Sequence, residues 1–259
     1  MILRLPNNVL FHHAVNIFTA RTISPKSWFA QIRNLCLFYG LPHPAKLIEC
    51  PPSKESFKTM VKKKVIDYWE QELRSQAKSL TSLKYFNPEF MSLNQTHPIF
   101  STAGPLPYQV SMATVQAVMV SGRYHCDSLL QHWSSKISGE CVLPTCINSN
   151  LLDDLEHILQ LCPSMQPTRD KLRDFTREYL VKNALPISIQ SIVNSFCSPQ
   201  SIKFCQFLID CSSLPCVIEA IQMYGDGIIQ HFFTITRTWI FSLHRERLKL
   251  RGEWRRDTY

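Results

Sequence analysis

The chain has 259 residues, a formal net charge of +8 and a pI near 9.0, with 45% hydrophobic and 19% charged side chains, which describes a folded protein able to bury a real core. Seven glycines and few Asn-Gly or Asp-Gly pairs speak against a strand-rich fold, and ten cysteines spread through apolar stretches of a long chain are not the disulfide framework of a short secreted one. No apolar run reaches the ~18 residues of a membrane span, and Asn7, Asn8, His12 and His13 interrupt any signal-peptide core, so the expected setting is nuclear or cytoplasmic, neither secreted nor in a membrane.

The first helix is expected over Asn8–Ala20. Its basic, acid-free surroundings have the composition of a mitochondrial transit peptide, but the apolar spacing reads as a packed helix. A second helix follows, with Ser24 as N-cap, Pro25 at the first helical position and Gly40 as its stop; Trp28, Phe29, Ile32, Leu35, Cys36 and Tyr39 form its apolar face. The prolines of L-P-H-P-A-K-L-I-E-C-P-P break the chain, because proline lacks the amide hydrogen a helix interior needs. Ser53 then opens the longest helix, to about Leu80, with Phe57, Val61, Val65, Tyr68, Leu73, Ala77 and Leu80 as the expected buried stripe. Lys58, Lys62, Lys63 and Lys64 make a basic turn on it, either a solvated face or a phosphate-contacting patch.

A Pro-, Asn- and aromatic-rich connector, Ser82–Pro107, is the expected domain boundary. Helices are expected at Pro107–Ser121 and Arg123–Trp133, parted by Gly122. Beyond residue 163 they are expected from Thr168 through Leu180, from Ser198-Pro199 to Cys211, over Leu214–Tyr224 ending at Gly225, and from Ile228 to about Leu250. The last turns basic towards its end through Arg245, Arg247, Lys249 and Arg251, followed by Arg255 and Arg256. The expected fold is therefore mainly α, helical bundle segments flanking a small zinc-knuckle-like module, divided as 1–95, 96–170 and 171–259.

That module is the stretch Gly139–Pro163, which sets out Cys141, Cys146, His157 and Cys162 as C-x4-C-x10-H-x4-C. Three thiolates and one imidazole are the soft donor set of a tetrahedral Zn²⁺ site; the bland alternative is buried thiols beside a surface histidine. Asn150 is expected to cap a helix carrying His157, with Asp153 and Asp154 offsetting its dipole. An uninterrupted helix would set His157 and Cys162 on different faces. Pro163 is expected to end it so that Cys162 folds back. Cys211 and Cys216 repeat the spacing without histidines in register and read as buried helix thiols, while His125, Cys126 and His132 fit no standard site. No Gly-rich phosphate loop, G-x-S-x-G elbow or paired-carboxylate constellation stands out, so no catalytic residue is expected.

Several phrases then carry a resemblance: S-W-F-A-Q-I-R-N-L-C-L-F-Y-G-L-P-H-P, P-P-S-K-E-S-F-K, Y-F-N-P-E-F-M-S-L, S-G-R-Y-H-C-D, F-C-Q-F-L-I-D-C-S and T-R-T-W-I-F-S-L-H-R-E-R-L. Together they resemble the C-terminal segment of LINE-type (non-LTR) retrotransposon reverse transcriptase polyproteins, over nearly the whole chain. The resemblance implies a Cys-Cys-His-Cys zinc module with ligands at Cys141, Cys146, His157 and Cys162, downstream of an RNA-directed DNA polymerase that this chain does not contain. It implies RNA or DNA as partner, with the upstream polymerase domain as a second. Lys58, Lys62, Lys63, Lys64, Arg245, Arg247, Lys249 and Arg251 are the expected phosphate contacts. The alternative is a structural or protein-interaction module in which zinc is a staple only.

Overall fold

Every regular element among the described residues of the computed structural model is helical; no strand forms, and extended backbone pairs only in an isolated antiparallel bridge between Glu140 and Leu152. The described residues are 12–13, 16, 24–86, 88, 93, 95–147, 150–198 and 201–252. The helix expected over Asn8–Ala20 falls almost wholly outside them, as do Arg255 and Arg256. By packing the chain divides into two units, Met1–Gln76 and Ala77–Tyr259.

In the first unit, α1 spans Trp28–Phe38. Its N-cap is Ser27, whose hydroxyl accepts from the Ala30 amide at 3.1 Å, and not Ser24, which sits with Pro25 in the preceding turn. Gly40, at φ +61°, ends the helix: its amide donates to Leu37 O and the Leu41 amide reaches back to Cys36 O, the paired bonds of a Schellman stop. α2, Pro44–Glu49, is capped by His43 Nδ1. α3, Lys54–Ser79, begins where Ser53 Oγ accepts from the Ser56 amide. The expected buried stripe is not realised. Although Tyr68 packs its ring on Phe38 and Tyr39 at centroid distances of 4.6 and 5.4 Å, no residue of α3 is fully buried.

The second unit holds the core. After α4 (Pro98–Ser101), α5 (Pro107–Val120) and α6 (Asp127–Leu130) come the Cys/His segment, α7 (Gln166–Lys182), α8 (Ile187–Phe196), α9 (Phe204–Asp210), α10 (Pro215–Tyr224) and α11 (Gly227–Leu250). α11 lies at the centre, against α5, α7, α9 and α10. It inserts Phe232, Phe233, Ile235, Trp239, Ile240 and Leu243, apolar positions three or four apart that share one broad face. Trp239 is fully buried, and its indole N–H is satisfied by Thr176 Oγ1 at 2.8 Å. Gln116 of α5 is equally enclosed and donates to Leu208 O, Ile209 O and Thr236 Oγ1, tying three helices by one amide.

Several boundaries differ from expectation. Arg123–Trp133 is helical only over α6. α7 begins two residues before Thr168, straight out of a 3₁₀ turn at Pro163–Met165, and α9 is confined to Phe204–Asp210. α8 occupies a stretch where no helix is expected. No single helix among the described residues is long and apolar enough to cross a membrane.

Candidate metal centre

Three short backbone devices bring the Cys/His segment together. Gly139, at φ +78°, turns the chain into the bridge that pairs 139–141 with 151–153: the Cys141 amide donates to Leu151 O at 2.8 Å and the Asp153 amide to Gly139 O at 3.0 Å. A turn at Leu143–Ile147 closes through the Cys146 amide to Leu143 O and presents Cys146 inward. Across the site, Thr145 is bonded through its hydroxyl and its amide to Ser164 Oγ, at 2.6 and 3.1 Å, linking the two cysteine-bearing loops.

The third device differs from the expected cap. Asn150 caps nothing; it stands at φ +51° in the loop, and the helical turn starts at Leu155. Its N-terminal oxygen comes from Asp154, whose carboxylate accepts from the His157 amide at 2.7 Å. From His157 to Leu161 the turn is π-helical, and the Cys162 amide donates to His157 O at 2.6 Å, an i→i+5 bond. An α turn would place residues five apart roughly 140° from each other. The wider turn brings His157 and Cys162 to one side. Cys162 then leaves the helix at ψ 118°, the extended conformation forced on a residue before proline.

The four side chains converge. Cys141 Sγ, Cys146 Sγ, Cys162 Sγ and the ligating nitrogen of His157 all lie within 4.8 Å of one another, and all four residues are buried. Cys146 Sγ is 3.4 Å from His157 Nε2 and 3.6 Å from Cys162 Sγ. A tetrahedron with metal–sulfur bonds of about 2.3 Å and metal–nitrogen bonds of about 2.0–2.1 Å has S···S edges of roughly 3.8 Å and S···N edges of roughly 3.6 Å. The set is thus spaced to hold a metal ion. No disulfide competes for these sulfurs: all ten cysteines are free thiols.

The electrostatics of the site follow from burial. Loss of solvent pushes the Cys141 thiol up to about 12, raises the Cys162 thiol, and lowers His157, against the pull of Asp153 and Asp154. Without a cation the pocket therefore favours neutral Cys141 and Cys162 thiols and a neutral His157 imidazole; a bound metal is what would make thiolates tolerable there. Arg169, enclosed on the same side, donates from Nη2 to Cys162 O at 2.6 Å, and burial lowers its pKa. Cys126 is buried and pushed up to about 12, while His125 and His132 are exposed. Cys211 is fully enclosed and Cys216 half-buried.

The acidic pair splits into two roles that its sequence position hides. Asp154 caps the turn that carries His157, whereas Asp153 is an interior hub. Its carboxylate takes the Asp127 amide at 2.8 Å and the Arg247 guanidinium at 2.6 Å. Arg251 pairs with Asp127 at 2.8 Å.

Of the expected phosphate contacts, Arg247 thus lies inside the fold and Arg251 is partly covered, while Arg245 and Lys249 are exposed on the neighbouring face of α11. Lys58, Lys62, Lys63 and Lys64 are all exposed along α3. No sequence signal singles out Asp153, Arg169 or Arg247 as interior groups, since each is a charged residue on an otherwise ordinary polar position. No family model, curated protein or solved structure matches this chain.

Proposed function

We propose that the chain is a zinc-stabilised module that binds single-stranded nucleic acid, without chemistry of its own. The metal reading rests on the 3.4 and 3.6 Å spacings among Cys146, His157 and Cys162 within the four-ligand cluster. A soft S₃N set suits Zn²⁺, and four protein donors in a buried pocket leave no open position for water or substrate. Such a centre is structural: it joins the loop at 139–147, the π turn and the start of α7. Asp153, whose amide donates to Gly139 O of that loop, joins it to α11 through Arg247.

For nucleic acid, the support is the run of Lys58, Lys62, Lys63 and Lys64, all exposed on a helix with no fully buried residue, in a chain of net charge +8. Lysines so placed neutralise phosphates and release counterions, which makes affinity depend steeply on salt. Exposed Arg245 and Lys249 form a smaller second patch. The resemblance to the C-terminal part of non-LTR retrotransposon polyproteins agrees with this reading and adds a polymerase supplied elsewhere in the parent protein.

Titration of single-stranded RNA binding from about 50 to 300 mM salt tests it. Changing the four lysines to Gln should weaken binding to all sequences alike and flatten the log–log slope by roughly 0.7 for each phosphate left without its lysine, about 2.8 at most. A parent chain with a flat salt response would contradict the reading. One observation favours a second reading, a protein-docking module: Trp28, Leu37 and Phe38 on α1 are 62, 62 and 54% exposed. A flat salt response would leave that reading in its place.

A further inference from the structure

Arg169 breaks two local rules at once. It stands in the first turn of α7, where the positive end of the helix dipole disfavours a cation. It is also only 2% exposed, where a guanidinium needs an opposite charge. Its hydrogen bonds go to neutral oxygens: Nη2 to Cys162 O at 2.6 Å, and Nε and Nη2 to Gln166 Oε1 at 3.2 and 2.9 Å. Nη1 is buried with no hydrogen-bond partner. The adjacent carboxylate, Asp170, is exposed and bonded instead to Arg173 and Gln166. No ion pair neutralises Arg169 among the described residues.

We infer that Arg169 supplies the counter-charge of a divalent metal centre held by three ionised thiolates, Cys141, Cys146 and Cys162, with neutral His157 as fourth ligand. The inference rests on the metal reading above and assigns a role to a residue outside the four ligands. A divalent ion with three thiolates and one imidazole carries a net charge of −1. An isolated buried −1 and an isolated buried +1 are each costly, and together they cancel. The carbonyl of Cys162, which Arg169 grips, belongs to one of the ligands, so the guanidinium sits on the backbone that carries the charge it balances. Two buried thiolates would make a neutral centre and leave Arg169 unbalanced. Three with a divalent ion match it. Metal loading then balances the buried charge of Arg169, and the site is tuned to 2+ ions over 1+ ions, whose centre of −2 a single guanidinium would not cancel.

The experiment measures Zn²⁺ affinity by competition with a chromophoric chelator in the full chain and in Arg169→Gln and Arg169→Lys, together with the Co²⁺ spectrum of the parent. Arg169→Gln keeps a hydrogen-bonding side chain without the charge and should bind Zn²⁺ about 10–100-fold more weakly, the range typical of outer-shell changes. Arg169→Lys restores the charge without the fork and should recover most of that loss. A purely structural role predicts the reverse grouping, both variants losing the fork and behaving alike. Folded variants with parental affinity, or a lysine variant no better than the glutamine one, would overturn the inference. The Co²⁺ charge-transfer intensity needs no variant: three bound thiolates are expected, and two would overturn it. A parent that binds neither Zn²⁺ nor Co²⁺ would instead refute the metal reading itself, which separates the two failures.

Discussion

α3 and α11 are the two long helices, 26 and 24 residues, and both show apolar residues at helical spacing, yet α11 buries ten side chains and α3 none. The difference lies in what surrounds them. α11 has helical neighbours on several sides and carries large apolar groups at Phe232, Ile235, Trp239, Ile240 and Leu243 in step with them. On α3, Phe57, Val61 and Val65 are only half covered, with Lys58, Lys62 and Lys64 exposed beside them. Periodicity identifies which face of a helix is apolar, but burial depends on how many partners close over that face. One helix therefore organises a core, and the other offers a charged surface.

The widest gap should open on metal removal. A strong chelator should abolish or greatly lower the melting transition of the second unit, since structural zinc contributes on the order of 10 kcal/mol in small modules. The helical signal of α3, in the unit without the cluster, should survive. Circular dichroism with and without chelator checks this, and equal loss from both units would break the comparison.

Next come interior substitutions. Arg247→Ala takes the close ion-pair partner from the buried Asp153 carboxylate, leaving it the Asp127 amide and Arg251 at 3.9 Å, and should cost about 3–5 kcal/mol; Trp239→Ala, which empties the core centre, about as much. Val65→Ala on α3 should cost under ~1 kcal/mol. Urea titration of the three variants measures the contrast. A loss at Val65 matching that at Trp239 would mean that α3 is covered after all.

A smaller effect depends on pH. His244 Nδ1 of α11 is hydrogen-bonded to the Tyr124 hydroxyl at 2.9 Å, and burial together with nearby Arg247 lowers its pKa to about 4. In the unfolded chain it returns to about 6.5. The stability gained by holding it neutral is thus fully present above about pH 6.5 and lost as pH falls towards 4. Allowing for solvent at this half-buried ring, the loss is about 1–2 kcal/mol. In His244→Gln the fall in urea midpoint over that range should be shallower than in the parent, where the metal centre contributes equally to both. The smallest effect belongs to Lys62→Gln, which should leave stability within ~0.5 kcal/mol while weakening RNA binding.

How far the chain can be read from its residues follows the same division. Devices that act locally are legible. Ser53 opens α3, Gly40 and Gly225 stop their helices, and the convergence of Cys141, Cys146, His157 and Cys162 is legible in their spacing, because residues so close in sequence are brought together by a few turns. What depends on tertiary contact is not. The cap at Asn150 loses to Asp154 because the bridge at Glu140–Leu152 holds the chain extended for two residues more. The π turn at His157 rests on packing of Ile158 and Leu159 into the core, which no local rule encodes. α8 is rich in β-branched isoleucine and valine, weak helix formers that become helical once Ile189 and Val193 are buried. Arg247 looks like its neighbours Arg245 and Lys249 in a basic helix end, and only the position of Asp153, 94 residues away, turns it inward.

The central claim is that Cys141, Cys146, His157 and Cys162 hold one Zn²⁺ that fixes the second unit. Its most direct test is elemental analysis of the purified chain, parent beside Cys146→Ser, both prepared under reducing conditions with zinc supplied and the excess removed. The account predicts about one zinc per parent chain and a marked loss in the variant, together with its melting transition. Far less than one zinc in the parent, or a Cys146→Ser variant that keeps both metal and melting temperature, would contradict it.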